Sequence, residues 1–255
     1  MLALRDVTVV RGSRTLLAGV TAAFAPGTFT AIVGANGVGK SSLLATMCGS
    51  TRPASGTVTL DGGDLWALAP RVRAQAIALV EPSEPVLAAM TVDEAVASAR
   101  YPHHRWWEWR ASPADEVAVA DALAATDLTT FAAREVGTLS TGERQRVWIA
   151  IALAQRARIV ALDEPTSHLD LRYAIETLAL LRRVAAAGAT VIAVLHSLEE
   201  AAAVADRVVL LATGRVAADA PPERALTAPN LADAFGVDIA VTRANGRLHF
   251  DRTFR

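Results

Sequence analysis

Apolar and polar residues alternate over residues 2–10 and again over 15–25, a period of two that predicts two half-buried strands before the turn Pro26-Gly27. The pattern then changes. "FTAIV" (29–33) is continuously apolar, as in a strand buried on both faces, and similar runs recur at 76–80, 158–162 ("RIVAL"), 190–195 ("TVIAVL") and 207–211 ("RVVLL"). A glycine loop follows the first of these and opens a helix from Lys40 to about Met47, stopped near Gly49. "GTVTLDGG" adds a short strand and a turn. Helical stretches separate most of the apolar strands, which predicts a parallel sheet covered on both faces.

Residues 91–135 interrupt this alternation and read as helices only, including "SPADEVAVADALAAT" with Ser112 as N-cap and Pro113 at the first helical position. They predict a helical insertion in an α/β core. Between the strand at 76–80 and the helix opened by Thr91 lies an acidic, proline-broken joint: Glu81, Pro82, Glu84 and Pro85. In the tail 236–255, Asn245-Gly246 between alternating flanks predicts a small hairpin.

Composition narrows the function classes. At 255 residues the chain holds one large domain or two small ones. The net charge of -1, with no long basic run, argues against wrapping nucleic acid. A single cysteine, Cys48, excludes an internal disulfide and fits a reducing compartment. The alternating, early-charged N-terminus does not read as a secretory signal. Apolar runs such as "VWIAIALA" (147–154) fall short of the roughly 18–20 residues that span a bilayer. The chain is therefore expected to be soluble by itself, with any membrane role exercised through a partner. Lysine occurs once, at Lys40, and every other basic side chain is arginine.

That lysine lies in "GANGVGKS", Gly34 to Ser41, which satisfies the phosphate-loop pattern between a predicted strand and a predicted helix. Glycines at Gly34, Gly37 and Gly39 let backbone N–H groups turn inward around phosphates, with Asn36 and Ser42 in the same wrap, and the helix N-terminus adds positive potential. Lys40 supplies a compact ammonium to the β- and γ-phosphates, a task a planar guanidinium does poorly. Ser41 is placed to ligate Mg²⁺. "RIVALDEP" (158–165) ends a buried strand on two carboxylates. Asp163 is expected to hold Mg²⁺ through water, and Glu164 to polarise the attacking water.

"LSTGERQR" (139–146) stands between these motifs, and with it the chain resembles the ATP-binding-cassette ATPases, whose signature reads LSGGQ or LSGGE before a basic helical stretch. The order matches along almost the whole chain, with "SHLD" (167–170) as the D-loop and His196 as the switch histidine. The resemblance implies a P-loop NTPase core with a mostly parallel sheet, an N-terminal antiparallel β subdomain and an inserted α-helical subdomain. It divides the single domain into a core with its β subdomain (1–85 and 158–228), a helical subdomain (86–157) and a C-terminal extension (229–255). It further implies ATP and Mg²⁺ bound between two such chains set head to tail. Ser140, Gly142 and Glu143 of one chain would face the γ-phosphate held by Gly34–Ser41 of the other, with Asp170 in the D-loop and His196 on the γ-phosphate.

"YPHH", "HLDLRYAIETLALLRR" and "DRVVLLATGRVAADAPPERALTAPNLADAFGV" resemble the ATPases of bacterial importers for iron–siderophore complexes, haem and cobalamin. These imply a pair of ATPases on the cytoplasmic membrane face, under two separate permease subunits fed by an external binding protein. Three positions depart from the family. Arg11 occupies the place of the aromatic residue on adenine, where a guanidinium can stack on a base. Thr141 replaces a signature glycine. Pro82 stands where a glutamine reaches Mg²⁺ and the attacking water; the expectation is that Glu81 or water completes the magnesium shell. Trp106, Trp107 and Trp109 divide between partner contact and simple packing. A poorly hydrolysing regulatory module, a cassette protein of DNA repair or translation, and an exporter are the other readings; the last two carry a second cassette, a long insertion or a fused membrane span.

Overall fold

The two alternating N-terminal segments pair with each other, β1 (Leu2–Arg11) lying antiparallel to β2 (Arg14–Phe24). The structure, a computed structural model, describes residues 1–81, 87–104 and 111–252. The joint at Pro82, Glu84 and Pro85 and the tryptophans at 106, 107 and 109 lie outside the described residues. After β2 come β3 (Phe29–Gly34), α1 (Lys40–Met47), β4 (Ser55–Leu60), the two-residue β5 (Gly63–Asp64), α2 (Pro70–Ala76) and β6 (Ile77–Val80). A helical segment follows with α3 (Val92–Ser98), α4 (Pro113–Ala125) and α5 (Thr141–Ala154). The chain then returns to strand and helix in turn: β7 (Ile159–Asp163), α6 (Leu171–Ala186), β8 (Thr190–Val194), α7 (Leu198–Val204) and β9 (Arg207–Ala212). It ends with β10 (Arg215–Ala220), α8 (Pro222–Ala225), α9 (Ala228–Phe235), β11 (Ile239–Ala244) and β12 (Arg247–Arg252).

The continuously apolar runs form one six-stranded sheet in the order β10-β9-β3-β8-β7-β6. All its pairings are parallel except β10 with β9. Period two sends alternate residues to opposite faces. Phe29, Ala31 and Val33 of β3 join Leu178, Leu181 and Ala185 of α6 in one core, whereas Ile32 joins Leu43, Leu44 and Met47 of α1 in the other. This second core is closed by the antiparallel sheet β2-β1-β4-β5 through Leu2, Leu4, Val7 and Val58. The phosphate-loop helix is thus packed between two sheets. A third cluster unites α3, α4 and α5, and α5 serves two clusters at once, with Ile149 and Ala152 in the first core and Val147, Ala150 and Ala154 in the third.

The expected fold class is the one observed, with differences in detail. Among the described residues, the segment 91–135 is not helix only: a 3-10 turn at Tyr101–His103 follows α3, and another at Thr129–Phe131 follows α4. The antiparallel edge strand β10 had no sequence expectation; its mixed "RVAADA" follows a Thr213-Gly214 turn with φ of 43° and 78°. The Asn245-Gly246 hairpin is present, with φ of 52° and 75° as a type I′ turn needs. Capping boxes explain the helix starts at Thr91, Ser112 and Ser140, where a hydroxyl accepts from the third backbone N–H and an acidic side chain answers.

Packing in the helical segment rests on a buried charge cluster. Arg100 and Asp115 are only 6% and 4% exposed. Arg100 Nε donates to Asp115 Oδ1 at 2.8 Å and an Nη donates to the Ala154 carbonyl at 2.8 Å. Asp115 Oδ2 accepts from the Ser112 N–H and hydroxyl and stands 3.0 Å from His104 Nε2. Burial pushes this carboxyl up, but the bonds from Ser112, Arg100 and His104 outweigh it and hold it well below the usual carboxylate range.

Candidate functional site

Buried β3 delivers the chain to a loop that only small residues can make. A methyl on Gly34 would stand 2.6 Å from the Leu211 carbonyl oxygen of β9, so the exit from the strand requires glycine. Gly37 and Gly39 take left-handed backbone angles, φ 76° and 110°, and Gly39 is the N-cap of α1. Lys40 is buried, and its Nζ donates to the Gly34 carbonyl at 2.8 Å and the Ala35 carbonyl at 3.1 Å, closing the loop on itself. Burial pushes the Lys40 ammonium below its ordinary value, against the opposing pull of Glu164 and Asp163.

Parallel β7 brings the two carboxylates beside this loop. Asp163 Oδ1 is buried and has no hydrogen-bond partner among the described residues. Burial raises the Asp163 carboxyl; the Ser41 hydroxyl bond lowers it, the charge of Glu164 raises it, and Lys40 lowers it. An orphaned carboxylate oxygen with a serine hydroxyl beside it is a donor set that suits a hard divalent cation. Glu164 continues the chain with a left-handed φ of 50°, held by its N–H donating to the Val194 carbonyl of β8 at 3.2 Å. Backbone strain of this kind is kept where neighbours over-determine it. Its Oε1 lies 2.6 Å from His196 Nε2, and its Oε2 accepts from the Ser167 hydroxyl at 3.1 Å.

Glu164, His196 and the loop residues Asn36, Gly37, Gly39, Lys40, Ser41 and Ser42 line a cleft of about 560 Å³ with Arg11, Arg14 and Leu16 of the antiparallel sheet, while Asp163 and Ser167 do not line it. Such a volume suits a bound nucleotide. Arg11 is among the residues that line the cleft. Arg14 and Leu16 were not anticipated, and Ser167 was placed only in the D-loop, without its bond to Glu164; the one signal for Arg14 was that it and Arg11 flank the two-residue Gly12-Ser13 turn.

The remaining predicted residues stand elsewhere on the chain. Ser140, Gly142 and Glu143 begin α5 and do not line this cleft. Glu143 answers the Ser140 N–H at 2.7 Å as the capping box, so its carboxylate presents the helix end. Asp170 caps α6, accepting from the Tyr173 N–H at 3.0 Å. The two helix ends interlock: a methyl on Gly142 would stand 2.8 Å from Tyr173 Cγ, and Arg146 lies over the same ring at 5.3 Å while pairing with Glu176. Gly142→Ala is expected to cost about 1–3 kcal/mol by overpacking. It should also reduce ATP turnover without weakening nucleotide binding to the phosphate loop, as titration calorimetry beside phosphate release will show. Glu81 follows β6 one step beyond the pair Val80↔Leu162, level with Asp163, but is exposed and does not line the cleft.

A phosphate loop between a buried parallel strand and a helix, with paired carboxylates on the neighbouring strand's end, defines a P-loop nucleoside triphosphatase. A family model described as ABC transporter matches residues 17–167, and the chain belongs to this family, among its ATP-binding ATPase subunits. The ferric enterobactin transport ATP-binding protein FepC of Escherichia coli (strain K12) is 39% identical over 91% of this chain and 86% of its own length. The hemin import ATP-binding protein HmuV of Pseudomonas aeruginosa is 38% identical over 98% of both chains. Among solved structures, an inward-facing transporter described as of the metal-chelate ABC type superposes with a TM-score of 0.85 at 26% identity, covering 100% of this chain and 98% of that one. A dimeric post-hydrolysis state of the cassette MJ0796, bound to ADP and Pi, gives 0.74 at 26% identity over 87% and 99% of the two chains.

Proposed function

We propose that this chain hydrolyses ATP to drive an importer of iron–siderophore complexes, working under separate membrane permease subunits on the cytoplasmic face of the membrane. Haem or cobalamin is the neighbouring choice of cargo. The observation that carries the catalytic part is Glu164 and His196 in contact above a phosphate loop whose lysine is buried. The names of the enterobactin and hemin relatives support the importer part. No helix among the described residues is long and apolar enough to cross a membrane, so passage of cargo falls to other subunits.

In this mechanism the phosphates lie in the Gly34–Ser41 wrap at the N-terminus of α1, and Lys40 turns from the loop carbonyls to the β- and γ-phosphates. Glu164 Oε1 accepts a proton as water attacks phosphorus, the bond to the ADP oxygen breaks, and ADP and phosphate leave. His196 holds Glu164, and the same reading gives it the γ-phosphate to contact once a nucleotide is bound. Ser41 and Asp163 would hold Mg²⁺, which when bound neutralises phosphate charge. Because Ser140 and Gly142 stand apart from their own cleft, a second copy set head to tail is the natural source of a signature helix. The division into core (1–85, 158–228), helical part (86–157) and extension (229–255) belongs to the same reading, as does an external binding protein that delivers cargo.

Purification of the intact complex from membranes tests the reading: two permease subunits and a co-purifying iron chelate are expected, and recovery of this chain alone would overturn it. Glu81 is the remaining proposal for the magnesium shell. Glu81→Ala should raise the Mg²⁺ concentration for half-maximal turnover of the complex; an unchanged rate and Mg²⁺ dependence assign that position to water.

A further inference from the structure

Beyond their last ladder pair, Asp163↔Val194, β7 and β8 leave the sheet through turns that carry Glu164 and His196. One main-chain bond still joins the two turns, from the Glu164 N–H to the Val194 carbonyl at 3.2 Å. Past it, two side-chain contacts among the described residues cross between them. The first is Glu164 Oε1 with His196 Nε2 at 2.6 Å, and both residues line the cleft. In the second, Thr166 Oγ1 donates to Glu200 Oε2 at 2.8 Å, and neither residue lines the cleft. Each end of this second contact is fixed to its own turn. The Glu200 N–H donates to the Ser197 hydroxyl at 3.0 Å in the cap of α7, and Ala201, the next residue, is fully buried in the first core. Thr166 precedes Ser167, whose N–H donates to the Glu164 carbonyl at 3.1 Å and whose hydroxyl donates to Glu164 Oε2 at 3.1 Å. A bond that holds Thr166 therefore holds the turn that aims Glu164. That turn needs holding: Glu164 and His168 take left-handed φ of 50° and 62°, kept by such residues only where neighbours over-determine them.

We propose that Glu200 is a positioning residue for hydrolysis: through Thr166 it fixes Glu164 against His196 without touching the nucleotide, an inference that rests on the reading of Glu164 as the base. A carboxylate is a strong acceptor, and this bond is half-buried, so water does not readily replace it. Loosening it leaves the phosphate loop as it is, because Lys40 is held by the Gly34 and Ala35 carbonyls and not by either turn. The effect therefore falls on the chemical step and not on nucleotide binding. Displacing a reacting group by about 1 Å costs up to about 10²-fold in rate. Glu199 provides a comparison within the same helix turn. Its carboxylate accepts from the Ser197 hydroxyl at 3.1 Å, and no hydrogen bond among the described residues joins it to the Glu164 turn.

Steady-state ATP turnover of the assembled complex, with kcat and KM separated, tests this beside equilibrium ATP binding. Glu200→Ala is expected to lower kcat by about 10- to 100-fold while KM and ATP affinity stay within about twofold. Thr166→Val keeps nearly the same shape and removes the donor. It should reproduce that loss, and the double variant should be little worse than either single one. Glu200→Gln keeps an acceptor for the Thr166 hydroxyl and should retain kcat within about threefold. Glu199→Ala removes a comparable charge from the start of α7 and should leave kcat within about twofold. A kcat within about threefold of wild type in Thr166→Val overturns the proposal and leaves Glu164 as the base. So does a loss that Glu200→Gln or Glu199→Ala shares in full, which would assign the effect to the charge at the start of α7 and not to the bond. A wild-type complex that binds ATP without hydrolysing it overturns the ATPase reading as well.

Discussion

Glu164→Gln is expected to lower ATP turnover by about 10²–10⁴-fold, the usual range for loss of a general base, while nucleotide binding survives. Glutamine keeps the size of the side chain and its capacity to accept from the Ser167 hydroxyl, which stands 3.1 Å from Glu164 Oε2 in the wild type. It loses the ability to take a proton from attacking water. The left-handed φ of 50° at this residue is a backbone property and persists in the variant. Steady-state phosphate release from the assembled complex reads the first effect and equilibrium ATP binding the second. Turnover within about threefold of wild type would remove Glu164 from the role of base and shift attention to His196, its neighbour at 2.6 Å.

Asp115→Ala is expected to destabilise the protein by about 3–5 kcal/mol, because it strands the buried Arg100 guanidinium. Loss of the acidic half of the Ser112 capping box acts in the same direction. Against a typical total of about 5–15 kcal/mol, this is a large fraction, and urea denaturation at neutral pH measures it. The pH dependence provides a sharper check. The folded-state carboxyl is depressed, so its contribution is fully present above the unfolded value of about 3.9 and is lost as pH falls below that toward the folded value. The wild type and Asp115→Ala stabilities should therefore converge in acid. A gap that stays constant down to the acid limit would show that packing, and not the charge, carries the effect.

These two predictions draw on parts of the protein that differ in how readily the sequence discloses them. Glu164 is legible because local rules place it: an apolar run of strand length ends in two carboxylates, and a phosphate loop precedes it in the same chain. Asp115 reads locally as a helix-start residue after Ser112. Its partners Arg100, His104 and the Ala154 carbonyl come from other turns and another helix, and no spacing rule links them. Arg14 shows the same limit. As a sequence letter it is one arginine among many, and it becomes a wall of the cleft only because β2 passes beside Gly39. The excess of apparent helix between residues 91 and 135 has a related cause. Alanine favours helix in the flanking stretches 91–100 and 111–125, whereas Pro102 and the long-range bridge between Thr91 and Glu135 belong to turns and pairings that such local propensity does not disclose.

By itself the sequence determined the alternation of buried strands and helices, the phosphate loop with its lone lysine, the acidic strand end and the capped helix starts, because each depends on residues close together in the chain. Tertiary structure decided which of these meet. It joined Lys40, Glu164 and His196 through a parallel sheet whose order does not follow the chain, and brought two arginines from the antiparallel sheet to the same cleft. It also set the signature helix apart from that cleft, locked to α6 through Gly142 and Tyr173. The reason is physical: hydrogen-bond ladders and side-chain periodicity are local, whereas sheet order and contact across a cleft come from burying apolar faces contributed by distant segments.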